Sequence, residues 1–159
     1  MARQDIKFLV LDVDGVLTDG GMYYSESGDE FKKFNTKDGL AIKHLTAAHF
    51  PVAFLSSGIN KNLISRRAKL LGVQFVYCGL EEKISVLDTW RKKLKLSWSE
   101  ISYIGDDVND TKVLSSVGLG ACPADAVDRI KKISKVVLKN KGGEGCVREF
   151  IEKYITEIS

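Results

Sequence analysis

The stretch Ile6-Lys7-Phe8-Leu9-Val10-Leu11-Asp12-Val13-Asp14-Gly15 joins an almost wholly apolar run to two carboxylates and a glycine. The run reads as a buried parallel strand, because it is apolar over strand length and turn residues follow it. Open α/β sheets keep their active sites at the carboxyl ends of such strands, which is where Asp12 and Asp14 fall. Gly15 gives the chain freedom to break out of the strand there. Two acids packed beside a hydrophobic strand cost free energy unless a cation or a reaction uses them.

Working outward, further strands end in polar residues of the same kind. Pro51-Val52-Ala53-Phe54-Leu55 leads into Ser56-Ser57-Gly58, and Ile101-Ser102-Tyr103-Ile104 leads into Gly105-Asp106-Asp107-Val108-Asn109-Asp110. Lys83 stands at the head of an amphipathic segment. Residues 20–34 hold two β-prone arms around a Ser-Gly-Asp turn, the pattern of a hairpin after the first strand. Helices are predicted over 38–49, 60–71 (stopped by Gly72), 81–94, 107–117, 126–133 and 147–158. Short strands are predicted at 73–77, 119–121 and 136–138, and Ser97 to Glu100 reads as a capped helix start. Strand and helix in alternation, without repeats or linkers, predict one α/β domain over 1–159, a doubly wound, Rossmann-like, mostly parallel sheet.

With DVDG at 12–15, Ser56, Lys83 and GDDVND at 105–110 in order at element ends, the chain resembles the haloacid dehalogenase superfamily of phosphohydrolases. Members usually carry a cap inserted after the first motif or between the second and third. Here the hairpin, one helix and one strand fill 14–56, and one helix and one strand fill 56–83, so no cap domain is expected. The resemblance implies that Asp12 attacks phosphorus, and that Asp14 protonates the leaving oxygen and then takes a proton from water. It implies a Mg²⁺ cofactor on Asp12, the backbone carbonyl of Asp14, and Asp106. Asp107 and Asp110 would orient Asp106 and the metal waters, with ligation by either left open. Ser56 and the Ser57 amide would bind phosphoryl oxygens, and Lys83 would neutralise charge on the intermediate.

Within the superfamily, DVDGVLTDGGMYY, FNTKDGLAIKHL, YIGDDVND and GGEGCVREF are similar to the capless 3-deoxy-D-manno-octulosonate 8-phosphate phosphatase family. That likeness implies a small-molecule sugar-acid phosphate as substrate and a homotetramer in which neighbours help close each site. Gly58, Thr36, Lys37 and Asp38 would lie near the substrate, and Arg66 and Arg67 would face its carboxylate, which suits a planar guanidinium. Ser57-Gly58-Ile59-Asn60 stands where the eight-carbon enzymes commonly have Gly-Arg after the second-motif residue. GGMYY, KKFNT and GGEGCVREF also resemble phosphatases of nine-carbon neuraminate-type 9-phosphates, so both substrates stay open. Two other classes compete. A promiscuous small-metabolite phosphatase would act comparably on many esters. A non-catalytic oligomerisation module, like the domain fused to CMP-sialate synthases, would have no need of the full acidic set.

Bulk properties narrow the partners. The 24 basic and 21 acidic residues give +3, which neither favours nor opposes an anionic partner. Lys32-Lys33, Arg91-Lys92-Lys93 and Lys131-Lys132 lack interleaved aromatics and read as solvated faces, so no nucleic-acid partner is expected. Cys78, Cys122 and Cys146 are odd in number and widely spaced, which opposes a disulfide framework or zinc site and fits a reducing compartment. Met1 to Asp5 leads straight into the first strand without an apolar leader, and no apolar run approaches the ~18 residues of a bilayer span. A cytoplasmic protein without a membrane partner is the expectation.

Overall fold

The structure, a computed structural model, describes residues 5–155. In chain order its elements are β1 (Phe8–Leu11), a hairpin of β2 (Tyr23–Tyr24) and β3 (Glu30–Phe31), α1 (Thr36–Ala47), β4 (Val52–Ser56), α2 (Lys61–Leu70) and β5 (Phe75–Cys78). There follow α3 (Lys83–Lys93), β6 (Ile101–Ile104), α4 (Thr111–Ser116), β7 (Leu119–Cys122), α5 (Asp128–Ile133), β8 (Val136–Val137) and α6 (Cys146–Tyr154). Six strands form one parallel sheet in the order β5-β4-β1-β6-β7-β8. The chain winds outward from β1 through β4 to β5, then crosses back to β6 and winds the other way. The expected sheet is therefore present, with the antiparallel pair β2-β3 confined to the hairpin and no cap domain among the described residues.

Strand alternation divides the core into two layers. Leu9, Leu11, Phe54 and Ile104 meet Ile42 and Leu45 of α1, Ile64 of α2 and Phe150 of α6 on one face. Phe8, Val10, Leu55 and Tyr103 meet Leu87 of α3, Val113 of α4 and Ile130 of α5 on the other. Both faces of β1 are thus covered, which is why its sequence is apolar throughout rather than alternating. Each such side chain, fully buried, stabilises the fold by about 1.5–3 kcal/mol relative to exposure.

Helix boundaries differ from the sequence reading where caps and turns intervene. α1 starts earlier than Asp38 because Asn35 caps it, its Oδ1 accepting from the amides of Lys37 at 2.8 Å and Asp38 at 3.2 Å. The single helix expected over 107–117 begins instead as a 3-10 turn, Val108–Asp110, capped by Asp107. It ends at Ser116, and Val117 is extended because Gly118 must pass so close to the Ser99 backbone that a Cβ would collide with it. The helix expected from Ala126 starts at Asp128, after the extended Val127. Residues 156–158 of the predicted last helix lie outside the described residues, as do residues 1–4. No helix among the described residues is long and apolar enough to cross a membrane.

Candidate active site

At the switch point beside β1, Asp12 leaves the sheet with its amide still donating to the Ile104 carbonyl of β6 at 3.0 Å. The backbone then turns through Gly15, at φ +85°, and the Thr18 amide closes the turn on the Val13 carbonyl at 3.1 Å. Thr18 Oγ1 ties the turn from inside, accepting from the amides of Gly15 and Gly20, both at 3.2 Å. Val13, Val16 and Leu17 are buried by this turn, while the Asp14 side chain stays 43% exposed on the wall of a cavity of about 420 Å³. Gly15 is needed for its positive φ and for space, since a Cβ there would collide with the Asp106 carboxylate.

The other wall is organised by a buried polar network. Lys83, the first residue of α3, is 4% exposed and turns its ammonium inward. Its Nζ lies 2.9 Å from Asp12 Oδ1 and 2.7 Å from Asp110 Oδ1, and donates to the Tyr103 hydroxyl at 3.2 Å. The Tyr103 hydroxyl donates to Asp110 Oδ1 at 2.5 Å. Asp110 Oδ2 accepts from the amides of Asp106 at 2.9 Å and Asp107 at 3.2 Å, which pulls the loop into its tight turn. With both oxygens occupied by protein donors, Asp110 holds Lys83 and the Asp106 backbone in place. Opposite, Ser56 ends β4 with its Oγ accepting from the Gly58 amide at 3.0 Å. Asn109 Nδ2 donates to Ser57 Oγ at 3.2 Å and joins the two loops.

One oxygen each of Asp12, Asp106 and Asp110 lies within 4.8 Å of the others. Three carboxylates around one ammonium leave negative charge in excess, and hard oxygen donors grouped this way fit a small divalent cation. Burial pushes the Asp12 carboxyl well above its ordinary range, and the Asp110 charge pushes the same way against the opposing Lys83 ammonium. Burial, together with the neighbouring acids Asp110 and Asp107, also pushes Asp106 up to about 6. For Lys83 burial acts downward, but Asp12 and Asp110 outweigh it and hold the ammonium above its usual range.

These shifts set a pH dependence. A carboxyl whose folded pKa lies above its unfolded one stabilises the fold at low pH and loses that contribution as pH rises through the folded value. Asp106, moved from 3.8 to about 6, should therefore make the metal-free protein less stable between about pH 4 and 6, with Asp12 acting in the same direction. A divalent cation binds the ionised carboxylates, so its stabilising effect should grow over that interval. Thermal melts in chelator and in magnesium at pH 5 and 7.5 test this. A magnesium shift as large at pH 5 as at pH 7.5 would contradict it.

The residues expected to meet substrate beyond the phosphate are placed elsewhere. Thr36 and Lys37 are exposed at the start of α1, and Arg66 is exposed on α2. Arg67 packs its guanidinium 5.2 Å from the centre of the Phe34 ring and 3.5 Å from the Asn35 carbonyl. Asp38 is only 1% exposed and accepts from the Arg148 amide at 2.9 Å, at the start of α6. None of these five lines the cavity, whereas Ser57 and Gly58 do. Lys32 is a correction, since it is not solvated: its side chain is 6% exposed and its Nζ lies 2.6 Å from Asp14 Oδ1. Tyr103 was also missed, although a tyrosine inside an apolar buried strand calls for a hydrogen-bond partner.

The chain is similar to known proteins over most of its length. The model of the haloacid dehalogenase-like hydrolase family matches residues 75–151. The 3-deoxy-D-manno-octulosonate 8-phosphate phosphatase of Yersinia pestis is 36% identical over 145 residues, covering 91% of this chain and 77% of that protein. A probable YrbI family phosphatase from Pseudomonas syringae pv. phaseolica superposes with a TM-score of 0.90 at 42% identity, over 94% of this chain and 84% of that one. The 3-deoxy-D-manno-octulosonate 8-phosphate phosphatase of Moraxella catarrhalis, solved with magnesium ion, phosphate ion and KDO, gives 0.89 at 33% identity, over 94% and 85%.

Proposed function

This chain belongs to the 3-deoxy-D-manno-octulosonate 8-phosphate phosphatase family of haloacid dehalogenase-like hydrolases, and from that premise we propose that it is a magnesium-dependent phosphatase of a 2-keto-3-deoxy sugar acid phosphate. The observation that carries the proposal is convergence: Asp12, Asp14, Ser56 and Asp106 line one cavity, and Lys83 reaches Asp12 from the buried side.

Asp12 Oδ1 accepts from the Val13 amide at 2.8 Å and lies 2.9 Å from the Lys83 ammonium, which fixes the carboxylate that attacks phosphorus. As the new O–P bond forms, the ester O–P bond breaks and Asp14 gives its proton to the leaving alkoxide. Asp14 then takes a proton from the water that attacks the aspartyl phosphate, releasing inorganic phosphate and restoring Asp12. Ser56 and the Ser57 amide bind phosphoryl oxygens, and Lys83 offsets their charge. Magnesium, held by Asp12, the Asp14 carbonyl and Asp106, would neutralise phosphoryl charge and relieve the repulsion among the acids. Asp110 serves this set as a positioning residue through its four protein donors.

Phosphate release from the eight-carbon 8-phosphate and a nine-carbon 9-phosphate, each with magnesium and with chelator, tests the proposal. A magnesium-dependent preference of at least about tenfold in kcat/KM, about 1.4 kcal/mol, is expected for one of them. Comparable rates on unrelated esters would point to a promiscuous phosphatase, and no release from either would overturn the reading. A homotetramer is part of the same proposal, consistent with Met22, Tyr24 and Phe31 standing exposed along the hairpin. Light scattering that gives a monomer at working concentration would remove that part.

A further inference from the structure

We propose that Lys32 is a positioning residue for Asp14, aiming its carboxylate at the leaving oxygen from the hairpin. The inference rests on the phosphatase reading above, in which Asp14 moves the protons. Lysine ordinarily keeps its ammonium in water and lays only its stem on the protein. Here the Lys32 side chain is 6% exposed, and its Nζ is 2.6 Å from Asp14 Oδ1 and 3.2 Å from Glu30 Oε1. Glu30 and Lys32 are two residues apart on the second arm of the hairpin, so they point to one side of it. The base of that arm is fastened to the active-site turn, because Phe34 bridges Thr18.

The two oxygens of Asp14 consequently face different surroundings. Oδ1 is taken by the ammonium, and Oδ2 faces the phosphate side of the cavity: a Cβ on Gly58 would stand 3.5 Å from Oδ2 and 3.1 Å from Ser56 Oγ. An aspartate carboxylate otherwise rotates over a broad range about its last torsion. A charge-assisted bond to one oxygen restricts that rotation and leaves the other oriented for proton transfer. Lys32 is not among the residues lining the cavity, so it acts through Asp14, and Glu30 acts through Lys32.

Lys32→Met keeps the stem and removes the ammonium. In single turnover with magnesium, its cleavage of the preferred sugar-acid phosphate should slow roughly 10- to 100-fold, a part of what general acid catalysis supplies. Release of p-nitrophenolate from p-nitrophenyl phosphate, whose leaving oxygen needs no proton, should slow at least about tenfold less. Lys32→Arg should recover part of the loss. Glu30→Gln should show the same split in weaker form, and it decides the matter if Lys32→Met does not fold. Equal losses on the two esters, or none on the sugar ester, overturn the inference. Asp14→Asn is run alongside. If it shows no split either, the acid–base reading itself fails; a split there without one at Lys32 removes only the positioning role.

Discussion

Asp12→Asn should give a folded protein whose turnover falls by at least about 10⁴-fold, about 5.5 kcal/mol at the transition state. The amide has nearly the shape of the carboxylate, and its oxygen can still accept from the Val13 amide and from Lys83. What it lacks is the anionic oxygen that attacks phosphorus. The same change should raise the melting temperature in chelator. Asp12, only 5% exposed, shares its surroundings with Asp106 and Asp110, and removing one charge of three relieves their repulsion. Intact-protein mass after an acid quench should show a phosphoryl adduct on the wild type and none on the variant. Near-normal turnover in a verified Asn variant would mean that Asp12 is not the nucleophile. Loss of activity together with loss of fold would mean that its role is structural.

That Asp12 was legible at all follows from where it stands. A residue at the end of a strand buried on both faces is marked by the apolar run before it, and Ser56 and Asp106 are marked the same way by β4 and β6. Parallel sheets line up their strand ends, so residues far apart in sequence can be assigned to one site from the strand pattern alone. Lys83 needed the motif order as well, because a lysine that begins a helix is common and nothing local says it turns inward. Other placements depend on packing that leaves no such mark. Asp38 looks like any acid in a first helical turn until α6 arrives from 110 residues away to use it. Lys32 looks solvated because its partner Asp14 is met only when the hairpin folds back over the turn after β1. The helix after β6 was predicted too long for a related reason: Asp110 draws the Asp106 and Asp107 amides toward it and tightens the first turn. For Asp38 and Lys32 a tertiary contact outweighed the local pattern, and after β6 a side-chain cap did so within the loop itself.

Lys83→Met should damage stability and activity together, and the two losses can be separated. Its ammonium lies between Asp12 at 2.9 Å and Asp110 at 2.7 Å, and the latter carboxylate is wholly buried. Taking one partner out of a buried ionic network leaves uncompensated charge, which typically costs about 3–5 kcal/mol. At about 2–4 °C per kcal/mol for a domain of this size, the melting temperature in chelator should fall by roughly 10 °C. Magnesium should recover part of that fall, since a cation among the same carboxylates offsets the same repulsion. Turnover should drop by about 10²–10³-fold even at saturating magnesium, because charge on the phosphoryl group is no longer met from the buried side. Asp110→Asn in the Lys83→Met background removes the orphaned charge, so it should raise the melting temperature without restoring turnover. A single variant that melts like the wild type in chelator would mean that the ammonium does not compensate these acids. A double variant that regains activity would mean that Lys83 serves only to hold Asp110.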